Sequence, residues 1–122
     1  MIAEVKSIDL IDHENWAYWP DDVEDFCVAA EAMIGPLGED GAEIFSFEVC
    51  TPKWFSKNRL GLAAFARNIV FVSEYDEQAV KNLVYEIARK ADGNSWNEVA
   101  NKLSRYLRWE FEDYQAPDPS SV

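Results

Sequence analysis

The chain has 122 residues, 48% of them apolar and 14% aromatic, with 11 basic and 23 acidic side chains for a net charge of −12. This length suits one domain with a real core, no apolar run approaches the ~20 residues of a membrane span, and the acid excess disfavours nucleic acid or an anionic membrane as direct ligand. The excess is lopsided: residues 1–50 hold 13 acids and one base, whereas residues 51–122 hold ten of each.

Residues 2–11 read as a strand whose apolar parity changes midway. Ala3 and Val5 fall on one side and Ile8 and Leu10 on the other, so a bulge or twist near Ser7 is expected. Trp16, Tyr18 and Trp19 follow, ending at Pro20, which stops any regular element. These aromatics read two ways. They fold as a lid over the end of a core, or they anchor a contact site bordered by Asp21, Asp22, Glu24 and Asp25.

Residues 25–35 fit either a helix capped by an aspartate or a strand with Phe26, Val28, Ala30, Ala32 and Ile34 on one face. The turn-rich sequence at 35–41 and the alternation of Phe45, Phe47 and Val49 within 42–51 decide for two strands of a hairpin. Glu31 and Glu48 then share the opposite face with Cys27 and Cys50, and Glu4 can join them. Antiparallel sheets often leave such a face to water, so the acidic surface extends across it. The two cysteines lie on neighbouring strands and, lacking further ligands or a CxxC spacing, are read as reduced and structural.

Pro52 turns the chain off the sheet into a short helical turn around 53–56. Lys53, Lys57, Arg59 and Arg67 make 53–67 the one basic stretch, with no acid inside it. Residues 67–73 form a near-continuous apolar run, expected of an interior strand. Asp76 caps a helix over 77–91, whose stripe is Val80, Leu83, Val84, Ile87, Ala88 and Ala91. Gly93 is expected as its left-handed C-cap. Ser95 and Glu98 form a capping box that opens a second helix over 96–114. Trp96, Val99, Ala100, Leu103, Leu107, Phe111 and Tyr114 would share one face of that brace, roughly 28 Å long. Glu110, Glu112 and Asp113 then sit where the helix dipole disfavours them, with Arg59, Arg67 and Arg108 as candidate partners. The expected architecture is α+β: a four-stranded, mostly antiparallel sheet with two C-terminal helices packed on one face. Residues 1–114 form a single domain and 115–122 a flexible tail.

The chemistry-bearing residues are few. His13 is the only histidine and has no neighbouring nucleophile; a multi-His zinc site, HExxH and a phosphate-binding glycine loop are all absent. Glu110 with Asp113 is the one carboxylate pair suited to acid–base work, although such i,i+3 pairs are common on helix surfaces. The chain is read as no enzyme, without cofactor or metal. The first residues lack a cationic-then-apolar signal, so it is expected to be cytoplasmic.

Several short motifs stand in a fixed order: Trp19-Pro20, Ile34-Gly35-Pro36, Cys50-Thr51-Pro52 with Trp54, an Arg67-led strand, and Trp-Glu-Phe-Glu-Asp-Tyr at 109–114. In this order the chain resembles the immunity protein 8 family of bacterial polymorphic toxin systems. The resemblance implies a non-catalytic α+β protein, kept in the cytoplasm of a toxin-producing bacterium, that binds a toxic domain and blocks it. The acidity of residues 1–50 suits a basic toxin, such as a nuclease with a cationic substrate groove, neutralised by occlusion. Trp16, Trp19, Asp21, Asp22, Glu24 and Asp25 are the candidate partner-binding set, followed by Glu31 and Glu48. Such a protein should be encoded directly beside a large secreted toxin. Two rival readings remain: a structural or regulatory domain that self-associates through apolar surface, and a small hydrolase with a deep pocket around Glu110 and Asp113.

Overall fold

The computed structural model of the protein describes residues 1–113. Five strands form one sheet: β1 (Ala3–Leu10), β2 (Cys27–Pro36), β3 (Glu43–Cys50), β4 (Ile69–Phe71) and β5 (Arg108–Trp109). Strands β1, β2 and β3 are successive antiparallel neighbours, and β4 runs parallel to the C-terminal half of β3. Strand β5 pairs antiparallel with Phe45 and Ser46 at the other end of β3. The helical elements are α1 (Pro52–Phe55), continued by a π-helical turn over Ser56–Leu60, α2 (Glu77–Lys90) and α3 (Trp96–Leu103).

The inward face of the sheet is the one that the alternation assigns. Phe26, Val28, Ala30, Ala32 and Ile34 meet Phe45, Phe47 and Val49 in a core closed by Val80, Val84 and Ala88 of α2 and Val99, Ala100 and Leu103 of α3. In β1 the register slips between Val5 and Ser7, which leaves Lys6 unpaired and turns Ala3, Ile8 and Leu10 all inward. A bulge is how a strand with two parities buries both. The hairpin joining β2 to β3 closes tightly at Gly35. A Cβ there would lie 1.9 Å from the Gly41 carbonyl oxygen, so no larger residue fits.

Four expectations need correction. The brace helix ends at Leu103, where Ser104 donates from Oγ to the Asn101 carbonyl at 2.7 Å. The chain then turns back and adds β5 to the free edge of β3. Leu107 and Phe111 keep the helical step, but with Trp109 they also alternate by two, and the strand period prevails because an unpaired β3 edge is available. Among the described residues the sheet has five strands instead of four, while α1 forms the expected turn around 53–56 and α2 and α3 are the two C-terminal helices. Second, β4 is a three-residue edge strand and not an interior one. Only Val70 faces the core; Phe71, on the other face, packs edge-on against Phe55 of α1 at 5.4 Å and stays 43% exposed.

Third, Gly93 does not take the left-handed conformation; Ala91 ends α2 at φ −93°. Glycine is required there by proximity, since a Cβ would meet Glu98 Cβ at 2.8 Å. Fourth, the capping box is only half of the expected one. Ser95 Oγ accepts from Glu98 N at 3.2 Å, but the Glu98 carboxylate accepts from Asn94 N at 2.7 Å, one residue early. The Asp76 cap forms as expected, accepting from Ala79 N at 3.0 Å. The expected flexible tail at 115–122 lies outside the described residues.

Candidate partner-binding surface

The connection from β1 to β2 carries most of the candidate residues, and it folds around one ring. Tyr75, buried just before α2, meets Trp19 edge-on at 5.2 Å and Phe26 at 5.3 Å, with Trp16 at 6.4 Å. Its hydroxyl donates to the Trp16 carbonyl at 3.1 Å, and its backbone N–H donates to the Val23 carbonyl at 2.8 Å. Burial pushes the Tyr75 phenol up. Trp16 is the lid of the two readings: half-buried, with Nε1 donating to the Ile8 carbonyl at 3.0 Å. Trp19 is 66% exposed and free to meet a partner.

The six candidate carboxylates divide into two groups. Asp22 pairs with Lys53 at 3.7 Å, Asp25 pairs with Lys57, and Glu48 takes Arg59 in a two-pronged contact at 2.5 and 2.7 Å. Arg59 also lies 5.0 Å over the Trp54 ring. These three acids tie the basic stretch 53–59 to the sheet. Arg59 holds the Glu48 carboxyl below its usual range. The stabilisation it contributes is therefore present above the ordinary carboxylate pKa and lost as the pH falls through the lowered one. Asp21, Glu24 and Glu31 have no cationic partner among the described residues.

The open sheet face holds the feature that the sequence reading missed. Asp9 stands directly opposite Glu31 in the β1–β2 ladder, with both side chains on the solvent side. Neither has a cation beside it among the described residues, and like charges placed so are mutually destabilising. The row continues through Ser46 to exposed Arg108. The signal was present in the sequence: once Ile8 and Leu10 point inward, Asp9 must point out. Glu48 is the diagonal neighbour of Glu31 on the same face, and Glu4 joins that face but is paired with Lys6.

Cys27 and Cys50 are register partners at the end of this face, as expected, and both are free thiols. A hydrogen bond to Cys50, burial and the Glu48 carboxylate push the Cys27 thiol up. Two thiols per chain are expected in denaturant. In the native protein Cys27 should react slowly and buried Cys50 only on opening; fast labelling of either with a thiol reagent would overturn this assignment.

The catalytic alternative loses its geometry. Glu110 and Asp113 do not share a helix: Glu110 follows β5 and accepts from Ile44 N at 3.1 Å, and Asp113 has φ 60°. The cleft that Asp113 lines contains Glu43 and Trp109 but not Glu110. Of the expected counterions, Arg67 pairs with Glu112 at 2.7 Å, while Arg59 serves Glu48. No group of three or more potential metal-ligating side chains is found among the described residues. Among those residues no helix is long and apolar enough to cross a membrane.

The family model described as Immunity protein 8 matches residues 3–114. The chain belongs to the immunity protein 8 family. The match spans all five strands and all three helices, so membership rests on the whole fold and not on a local motif. No match is found among curated proteins or among solved structures. Membership in the immunity protein 8 family makes this an immunity protein of toxin systems, with a toxin protein as the implied partner.

Proposed function

We propose that this protein neutralises a cognate bacterial toxin domain by lying over its functional site in the cytoplasm, without catalysis. The toxin in this reading presents a cationic surface, as the substrate groove of a nuclease does. The observation that carries the reading is the opposed Asp9–Glu31 pair, two acidic residues at facing register positions on an open face with no cationic partner among the described residues. A cation from a partner would relieve their repulsion and gain two charge-assisted contacts. Trp19, Asp21 and Glu24 add an aromatic anchor and further unpaired charge at the neighbouring loop, the composition of an interface centre with a charged rim. Asp22, Asp25 and Glu48 serve this surface indirectly, by holding residues 53–59 in place.

The test is co-expression of the toxin domain encoded beside this chain, with and without it, followed by association kinetics on the purified pair. Growth is expected only in the presence of this protein. The association rate should fall steeply with added salt while dissociation changes little. Failure to rescue would remove the immunity reading; rescue with a salt-independent association rate would remove only the electrostatic mechanism.

A further inference from the structure

The sheet ends in an edge that no strand pairs. Strand β4 closes the order β1-β2-β3-β4, and its outer side has no neighbouring strand among the described residues. Towards β3, the Glu48 N–H donates to the Asn68 carbonyl and the Val72 N–H to the Cys50 carbonyl, both at 3.0 Å. In a parallel ladder alternate residues bond the same neighbour, so the N–H and C=O of Ile69 and Phe71 point the other way. Edges of this kind are commonly protected by charge or proline. Ile69, Val70 and Phe71 bring neither, and Phe71 is 43% exposed. The run that leads towards them, Leu-Gly-Leu-Ala-Ala-Phe-Ala at 60–66, is apolar and exposed throughout.

A groove runs beside that edge. One cleft of about 590 Å³ lies between β4, α2 and the end of α3, a second of about 370 Å³ adjoins it, and both have Val70 and Leu83 in their walls. Ile69, Ile87 and Tyr106 add apolar surface to the first. Its charge is opposite to that of the whole protein. Arg67, Lys90, Lys102 and Arg105 line it against Glu86 alone. Glu112 pairs with Arg67 at 2.7 Å and Asp92 with Lys102 at 3.7 Å, while Lys90 shares Glu86 with Arg89. With those partners counted, five cations still face three acids, and exposed Arg105 has no anionic partner among the described residues. The second cleft is acidic instead, through Glu74 and Asp76, so the groove has a direction.

Each feature restricts the occupant. Unpaired donors and acceptors two residues apart match an extended backbone and not a small molecule. The apolar walls suit its alternate side chains, and the Arg105 end suits a carboxylate. Family membership supplies one protein partner, the toxin. We infer that an extended segment of the toxin adds a strand to the open edge of β4, with an Asp or Glu set against Arg105 and apolar side chains on Leu83 and Ile87. The inference takes its partner from the toxin reading and so rests on it, adding a second surface to the first. The two surfaces differ in sign: the Asp9–Glu31 face asks for cations, this groove for an acid. A partner that meets both lies in one orientation only, because reversal sets like charges together.

Amide exchange in the full chain, with and without the toxin domain encoded beside it, tests the inference. The Ile69 and Phe71 amides should exchange fast in the free protein, and toxin binding should slow both by about tenfold or more, as pairing into a strand ladder does. Phe71→Pro removes an outward N–H and leaves the bonds to β3 intact, with Phe71→Ala as the control for the lost ring. It should bind the toxin roughly 3- to 10-fold more weakly than Phe71→Ala, the worth of one hydrogen bond. Arg105→Glu should weaken binding by about tenfold or more, whereas Arg105→Lys should keep most of it. Both positions are exposed, and circular dichroism checks that the variants fold. A toxin domain that does not bind the wild type would overturn the toxin reading and this inference together. Binding that leaves the Ile69 and Phe71 amides open, or that ignores Arg105→Glu, would overturn this inference alone. Protection that grows with protein concentration in the absence of toxin would give the edge to a second copy, and would overturn it too.

Discussion

Glu43→Ala is expected to lower the unfolding free energy by about 2–5 kcal/mol, the loss from leaving two buried or partly buried indole donors without their charged acceptor. Glu43 opens β3 on the inward side of the sheet. Its Oε1 accepts from Trp96 Nε1 and its Oε2 from Trp109 Nε1, both at 2.6 Å. One carboxylate thus fastens the start of α3 to β5, elements joined in sequence only through the turn after Leu103. Phe45 lies between the same indoles, stacked on Trp109 and edge-on to Trp96, each at 6.4 Å. Glu43→Gln retains one acceptor oxygen but turns an N–H₂ toward the other indole N–H, so its loss should be about half as large. Urea unfolding followed by tryptophan emission measures both. A Glu43→Ala midpoint equal to that of the wild type would show that the clamp contributes nothing.

Neutralising the open-face pair should move stability and binding in opposite directions. Asp9→Asn or Glu31→Gln removes a cross-strand repulsion, and each is expected to stabilise the free protein by a few tenths to about 1 kcal/mol. The same changes should weaken toxin binding by about tenfold each, mainly through slower association. Their effects on stability should not add, because either substitution alone already relieves the repulsion. Paired thermal melts and kinetics against the cognate toxin domain read both quantities. Substitutions that destabilise the free protein, or that leave the association rate unchanged, would show that these carboxylates do not form the docking site. Natural proteins keep such local conflicts where a ligand resolves them.

Much of the candidate surface was legible without coordinates. Period-two alternation in residues 25–35 and 42–51 placed Glu31 and Glu48 on one solvent face, and the Pro20 stop placed Trp16 and Trp19 on a connecting loop. The hidden part concerned pairing between distant segments. Asp22, Asp25 and Glu48 look like free acids until residues 53–59 fold back over them, and no spacing along the chain reports that return. Trp16 and Trp19 look equivalent, yet one is held by Ile8 and the other stands in solvent. The apolar run at 60–66 was visible as letters, but it had no helical or strand period to identify a buried face.

What the amino-acid order determined alone is local: the hairpin and its turn-rich connection, the bulge near Ser7, the Asp76 and Ser95 caps, the stripe of α2, and the charge split between the two halves. Each depends on neighbours within a few residues, where sterics and hydrogen-bond geometry act directly. Only the tertiary structure decided that α3 stops at Leu103, that β4 and β5 share one side of β3, and that Asp9 faces Glu31. Those outcomes rest on competition for a free strand edge and on bonds between groups up to 66 residues apart, such as Trp109 with Glu43. Residues 103–111 read as helix from the spacing of Leu103, Leu107 and Phe111. The unsatisfied backbone of β3, and a carboxylate placed to receive an indole, chose the strand.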